Sequence, residues 1–335
     1  MISICIPSYN RPFELIRLLN SIQNQQGDFE IIIAEDNAPK RDQVVAAVND
    51  FIRENPKLTV HLFLNETNLG YDGNLKNLIR ISKGEYCIFM GDDDLMKEGS
   101  ISRIQDAIKK HPDIGFILRS WDEIDKDGNL TLTQKYFAKS QLFPPGENTV
   151  VNFFRKSVFI SGLVVHRQTA LKFETDKVDG KLLYQLYLSA NILLDKPGYY
   201  ISDTIATHIK GGEHFFGSSE KEKGKFEPKK LTVEHSLNFM QGFIDIAKLI
   251  DKERETSLET KIITDLSKYS YGFLVIQRKN GLKIFINYII GLKKMGYGKT
   301  LYFYLFIILL SVLGNKFTEI LISFIKSKMQ SIPKY

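Results

Sequence analysis

Short apolar runs alternate with amphipathic stretches through the first third of the chain. Residues 2–6 (Ile-Ser-Ile-Cys-Ile), Phe29–Ala34, Leu58–Leu64 and Tyr86–Met90 have the length and composition of buried strands. Between them, apolar positions recur at helical spacing. Leu15, Ile16, Leu18, Leu19 and Ile22 follow Pro12, which suits a first helical turn, and Val44, Val45, Val48, Phe51 and Ile52 form a second face. Leu75, Leu78 and Ile79 follow a glycine-bearing turn, Gly70-Tyr71-Asp72-Gly73, and Ile101, Ile104 and Ile108 come after the fourth strand. Strands and helices alternating in this way predict βαβ units, an α/β fold with a mostly parallel sheet flanked by helices.

Ligands of such sheets bind beyond the carboxyl ends of the strands. Three predicted strands end there in polar residues: Ser8-Tyr9-Asn10, Glu35-Asp36-Asn37 and Asp92-Asp93-Asp94. Adjacent carboxylates repel one another, and a divalent ion would relieve the third group; a solvated acidic turn capping the next helix is the other reading. No GxGxxG follows the first strand and no GxxxxGK[ST] is present, so the dinucleotide-binding and P-loop classes lose their phosphate cradle.

Further along, Ile114–Leu118 predicts a strand and Asp125–Asn129 the turn of a hairpin. Trp121, the single tryptophan, suits either a sugar face or the core beside that hairpin. Ile160–Arg167 reads as a strand, Leu182–Leu194 as a long apolar helix, and residues 218–228 as a linker. From Lys229 onward only helical patterns remain, giving an all-α C-terminal region. The expected organisation is therefore 1–217, a linker at 218–228, and a helical domain over 229–335.

Charge modifies this picture locally. The chain holds 45 basic and 39 acidic residues, but residues 277–335 carry ten of the former and only Glu319 of the latter, leaving 35 against 38 elsewhere. A basic segment rich in Phe, Ile, Leu and Tyr predicts peripheral contact with an anionic membrane leaflet through 277–335 rather than nucleic acid. Within it, Leu301–Gly314 is uncharged but bracketed by Lys299 and Lys316, short of the roughly 20 residues of a comfortable span. Buried, interfacial and spanning helices are all open there. Cys5 and Cys87 fall in predicted strands and are expected as free thiols. The opening Met1-Ile2-Ser3-Ile4 has no basic n-region, so no signal peptide and a cytoplasmic location are expected.

Taken together, Ile4-Cys5-Ile6-Pro7-Ser8-Tyr9-Asn10-Arg11, Glu35-Asp36-Asn37, Asn68-Leu69-Gly70 and Gly84–Asp94 resemble, in order and spacing, the family 2 glycosyltransferases of GT-A (Rossmann-like) fold. The variant Gly70-Tyr71-Asp72-Gly73-Asn74 is similar to bacterial O-antigen and capsule sugar transferases, including dideoxyhexosyl-transferases. The resemblance implies an enzyme moving a sugar from a nucleoside-diphosphate-sugar donor to a glycan acceptor, lipid-linked in surface polysaccharide assembly, with inversion. It implies Pro7, Tyr9, Asp36 or Glu35 at the nucleoside, with Asn74 and Asp92 on the donor side. Helix capping before Pro39 is the alternative for Glu35 and Asp36. Asp93 and Asp94 would hold Mg2+ or Mn2+, with Gly91 where relatives carry a first Asp. Asp179 matches the general base by position, although the usual Glu-Asp pair is missing; Asp176 and Glu174 are further candidates, and helix capping is its bland role. Lys210, His208 and His214 fall where relatives have a loop over the donor. The missing first Asp and Glu-Asp pair leave room for a binding or scaffold protein without turnover.

Overall fold

The computed structural model describes residues 1–228, 232–318 and 320. Residues 321–335, part of the basic segment singled out above, lie outside the described residues. The chain divides into two compact units, one of residues 1–230 with 252–256, the other of 231–251 with 257–335.

In the first unit the elements run β1 (Ile2–Ser8), α1 (Pro12–Ile22), β2 (Phe29–Glu35), α2 (Arg41–Glu54), β3 (Val60–Leu64), α3 (Gly70–Ile81), β4 (Tyr86–Phe89), β5 (Leu95–Met96), α4 (Ser100–Lys110), β6 (Phe116–Ile124), β7 (Leu130–Gln134), β8 (Gln141–Phe143), α5 (Glu147–Phe154), β9 (Leu163–His166), α6 (Arg167–Lys172), α7 (Tyr184–Asp195) and β10 (Gly198–Ile209). The described strands form one sheet in the order β3-β2-β1-β4-β9-β6-β10-β5, with β7 on β6 and β8 on β10. Strands β3, β2, β1 and β4 are parallel, as the βαβ pattern requires. β9 runs antiparallel between β4 and β6. Ile4, Ile6, Ile31, Ile33 and Ile88 pack with Leu15, Leu18, Leu19 and Val44 of the covering helices into one buried core. Free Cys5 and Cys87 are both buried in neighbouring strands.

Two elements differ from the expectation. The glycine-bearing stretch 70–73 is not a turn ahead of a helix; it is the first turn of α3, whose buried face includes Asp72, Asn74 and Lys76 as well as Leu75, Leu78 and Ile79. Polar burial on that scale erases the apolar stripe that marks a helix in sequence. β10 went unpredicted because register shifts between Ile201 and Ala206 interrupt its alternation. His208 consequently sits on a strand rather than in a loop.

The polar face of α3 fixes the loop ahead of α7. Asp72 accepts bonds from the backbone N–H groups of Lys181 (3.0 Å), Leu182 (2.9 Å) and Tyr184 (2.9 Å), capping α7 from a distant element. Lys76, also buried, pairs with Asp176 and with Asp179 at 2.7 Å. The geometry forces Leu182 to φ 63°, a left-handed conformation unusual for a non-glycine residue. Gly180, at φ 71°, allows the carbonyl of Lys221 to approach where a Cβ would stand.

In the second unit α8 (Val233–Arg254), which it shares at its C-terminal end with the first, is followed by α9 (Leu258–Lys268), α10 (Tyr271–Lys279), α11 (Leu282–Lys294) and α12 (Leu301–Val312). Leu266, Leu274, Phe285, Tyr288, Leu292, Phe303 and Leu310 are buried. α12 buries only Phe303 and Leu310; Leu301 is 87% exposed and Val312 76%. It is thus not the buried helix allowed by its apolar sequence. Among the described residues no helix is long and apolar enough to cross a membrane.

Burial pushes the Asp72 carboxyl up to about 6, against the three backbone bonds that favour its charge. A carboxyl raised in this way stabilises the fold while protonated; its contribution is complete below about pH 4 and lost as pH rises through about 6. Urea unfolding of wild type and Asp72→Asn should therefore diverge with acidity. Wild type gains on the variant by roughly 1 kcal/mol between pH 7 and pH 5. Parallel pH profiles would contradict the shift.

Candidate active site

A cavity of about 370 Å³ opens beyond the carboxyl ends of β1, β2 and β4. The register explains which residues reach it. Cys5 pairs with Phe89 and Ser8 with Glu35, so Tyr9 and Asp36 emerge at one level of the sheet edge and Asp92 one residue below it. Asn10 and Asn37 follow at φ 64° and 53°, conformations that asparagine tolerates better than most residues, and turn the chain away from the opening. Pro7, Tyr9, Asp36, Asn74, Asp92, Asp93 and Asp94 all line the cavity.

Each of the three consecutive carboxylates has a different set of partners. Asp92 accepts from Tyr9 N at 3.1 Å and from Arg11 Nη1 at 2.8 Å. The other guanidinium nitrogen of Arg11 lies 3.2 Å from Asp93, whose side chain stays partly open to the cavity. Asp94 accepts from Ser161 Oγ, and His208 Nδ1 stands 2.9 Å from its other oxygen. The same Ser161 oxygen accepts Gly91 N at 2.9 Å, so one hydroxyl ties together both ends of the Gly91–Asp94 turn. Ser161 is held in turn by Arg119, which is fully buried and donates to the carbonyls of Ser161 and Phe159, each at 2.6 Å. Burial lowers the Arg119 guanidinium to about 10. Burial likewise pushes Asp92 up to about 7 against the pull of Arg11, and raises Asp94, while the bond to Asp94 raises His208.

The opposite end of the cavity is built around Asp36. Its carboxylate accepts from Leu69 N (2.8 Å), Gly70 N (3.0 Å) and Asn65 Nδ2 (2.8 Å). Asn74 bridges the same network, donating to the Ala34 carbonyl at 2.9 Å. Burial pushes Asp36 up to about 6. Tyr71 meets Phe216 edge-on and Tyr9 meets Phe215 likewise, so aromatic rings line the wall between the two ends.

Other predicted residues lie elsewhere. Glu35 does not face the cavity; it is fully buried, binds Arg41 and accepts Asn37 N and Ala38 N, the capping alternative. Nor does Asp179 line it. Its carboxylate is clamped by Lys76 and Lys221, a pairing set by the 176–184 loop lying against α3. Asp176 and Glu174 are taken by Lys76 and Arg80. Trp121 packs against Phe159 at 4.7 Å and donates to Tyr136, outside the cavity lining. Lys210 pairs with Glu123, whereas His208 and His214 both line the cavity. Arg11 entered only as the last residue of the first motif, and Ser161, Arg119 and Glu222 were not singled out from sequence. Arg119 alone left a signal, a charge directly after the apolar run Ile114–Leu118.

The donor set bears on a metal. Carboxylate oxygens with one imidazole and no thiolate suit a hard ion such as Mg2+ or Mn2+. Among the described residues no three His, Cys, Asp or Glu side chains are grouped as a ready metal cage. The arrangement thus fits an ion that takes one or two carboxylates and fills its shell with phosphate oxygens and water.

The profile of glycosyl transferase family 2 matches residues 3–172, half of the chain. Abequosyltransferase RfbV of Salmonella typhimurium is 33% identical over 117 residues, 34% of this chain and 34% of its own length. GalNAc(5)-diNAcBac-PP-undecaprenol beta-1,3-glucosyltransferase of Campylobacter jejuni is 31% identical over 134 residues, 39% of this chain and 40% of its own. The matched stretch thus spans well under half of these curated relatives. Among solved structures, the mannosyltransferase PcManGT from Pyrobaculum calidifontis, in complex with GDP-Man and Mn2+, superposes with a TM-score of 0.52 at 13% identity, covering 93% of this chain and 86% of that one. That likeness concerns the fold, which is GT-A. With its parallel strand ends, carboxylate triplet and family match in register, the chain belongs to glycosyl transferase family 2.

Proposed function

We propose that this protein is a metal-dependent, inverting hexosyl- or dideoxyhexosyl-transferase, moving sugar from a nucleoside diphosphate to a lipid-linked glycan in cell-surface polysaccharide biosynthesis. The observation that carries the reading is the convergence of Asp92, Asp93 and Asp94 with Pro7, Tyr9, Asp36 and Asn74 on one cavity. Relatives named for abequosyl and for undecaprenyl-diphosphate-linked glycan transfer support the sugar and acceptor classes.

In this reading the nucleoside occupies the Asp36 end, between the Tyr9 and Tyr71 walls, and the diphosphate reaches the carboxylate triplet. Asp93 and Asp94 hold the divalent ion, which when bound neutralises charge on the departing nucleoside diphosphate. Arg11 fixes Asp92 and Asp93, and Ser161 and His208 fix Asp94, so the carboxylates are preset before the donor arrives. Asp179, tied to two lysines away from the cavity, serves here as a clamp on the loop before α7 rather than as the proton acceptor.

The second unit supports contact with an anionic membrane leaflet, as expected for a lipid-linked acceptor. Leu282, Ile286 and Ile290 form an exposed apolar row on α11, and Leu301, Leu305, Ile308 and Val312 another on α12. Lysines 279, 283, 293, 294, 299 and 316 lie on or beside these helices without an acid between Arg278 and Thr318.

Three experiments test these points. Manganese-dependent release of nucleoside diphosphate from a panel of UDP-, GDP-, CDP- and dTDP-sugars should identify a donor, and Asp93→Asn and Asp94→Asn should each lower turnover by about 100-fold or more. Full activity in both variants would refute the metal assignment, and no release from any donor would favour the scaffold reading. Asp179→Asn should lower the unfolding midpoint by several degrees, an effect of roughly 1–3 kcal/mol, with kcat within about threefold of wild type. A hundredfold loss of kcat at unchanged stability would instead make it the base. Finally, the full chain should float with phosphatidylglycerol-containing liposomes at low salt and less so at 0.5 M NaCl; sedimentation away from anionic lipid would exclude the membrane contact.

A further inference from the structure

Beyond the family-matched residues 3–172, the turn at 217–226 contributes a wall to the same cavity, although its composition reads as a linker. Ser219 and Glu222 are only 2% and 3% exposed, and both line the cavity. The turn is held internally, Glu222 N and Lys223 N both donating to the Ser219 carbonyl. The Glu222 carboxylate accepts Tyr71 N and Gly217 N, each at 2.8 Å, which leaves lone pairs on both oxygens.

Ser219 Oγ has no hydrogen-bond partner among the described residues. A buried hydroxyl without a partner is destabilising unless something else supplies the bond. Gly70 shows where that oxygen points. A Cβ at Gly70 would stand 2.5 Å from Ser219 Oγ and 2.8 Å from Glu222 Oε1, and Gly70 N is itself bound to Asp36. Ser219, Glu222 and Asp36 therefore crowd around one point at the end of the cavity away from the Asp triplet. A second hydroxyl with no hydrogen-bond partner among the described residues, Ser8 Oγ, lines the same cavity.

Resting on the nucleotide-sugar reading above, we infer that Ser219 and Glu222 are donor-recognition residues, forming the part of the site that reads the polar edge of the nucleobase. The chemistry separates the two ends of the cavity. Two carboxylates and free hydroxyl valences suit a neutral ring with N–H donors and repel a phosphate. The diphosphate belongs at the other end, where Arg11 and His208 stand beside the triplet. Tyr71 presents its ring at this end of the wall, against which a planar base packs.

The test is calorimetric titration of the full chain with UDP, CDP, GDP and dTDP in the presence of Mn2+, for wild type, Ser219→Ala and Glu222→Gln. Ser219→Ala should weaken the diphosphate preferred by wild type about three- to tenfold, while the unfolding midpoint of the free protein stays level or rises because an unmet hydroxyl has been removed. Glu222→Gln, which replaces a pure acceptor by a group that also donates, should change the order of preference among the four bases. Unchanged affinities in both variants, or a loss in Ser219→Ala matched by a lowered midpoint, would overturn the inference. Failure of wild type to bind any of the four would instead strike at the nucleotide-sugar reading itself.

Discussion

The mutual repulsion of Asp92, Asp93 and Asp94 is the constraint around which the first unit is arranged. Three carboxylates in sequence at a buried strand end repel one another, and burial further disfavours their charged forms. The fold meets this with partners from three separate elements. Arg11, beside the end of β1, takes Asp92 and Asp93; Ser161, ahead of β9, and His208, on β10, take Asp94. Strand order is what makes those neighbours available, because β1 and β9 flank β4 directly. Arg119 extends the arrangement one layer down by fixing the Phe159 and Ser161 carbonyls.

A second set of buried charges does structural work in α3. Asp72 and Lys76 lie one helical turn apart on the face turned inward, and between them they hold the loop 176–184 through backbone and carboxylate partners. Asp72 is matched by backbone N–H groups and Lys76 by Asp179, and a buried ion pair such as the latter is costly to break from one side even where it contributes little net stability. The same helix offers its first-turn amides to Asp36 and Glu222. The Asp36 end of the cavity and the loop before α7 thus share one support.

The C-terminal unit follows a different logic. Its helices bury one face each, but α11 and α12 leave apolar rows in solvent that a closed helical bundle would cover. Their basic surroundings give that surface an electrostatic preference as well as an apolar one.

Much of the first unit could be read from the residues alone. Apolar runs at βαβ spacing determined the parallel half of the sheet, and since ligands of such sheets lie at the strand carboxyl ends, the same pattern places Tyr9, Asp36 and Asp92–Asp94 on one edge. Local pattern carries that information because strands and helices are short-range objects. What depended on long-range contact could not be read. Glu35 and Asp179 are carboxylates in plausible places, and only packing against Arg41, Lys76 and Lys221 turned them away from the cavity. Glu222 sits in a run of Ser, Glu and Lys with nothing to separate it from solvent-facing neighbours, yet the folded chain buries it beside Gly70, about 150 residues earlier in sequence. The sequence by itself determined which carboxylates the sheet edge would gather; tertiary structure alone decided which of the others join them, because a charge becomes a ligand or a clamp only through the partner that burial brings to it.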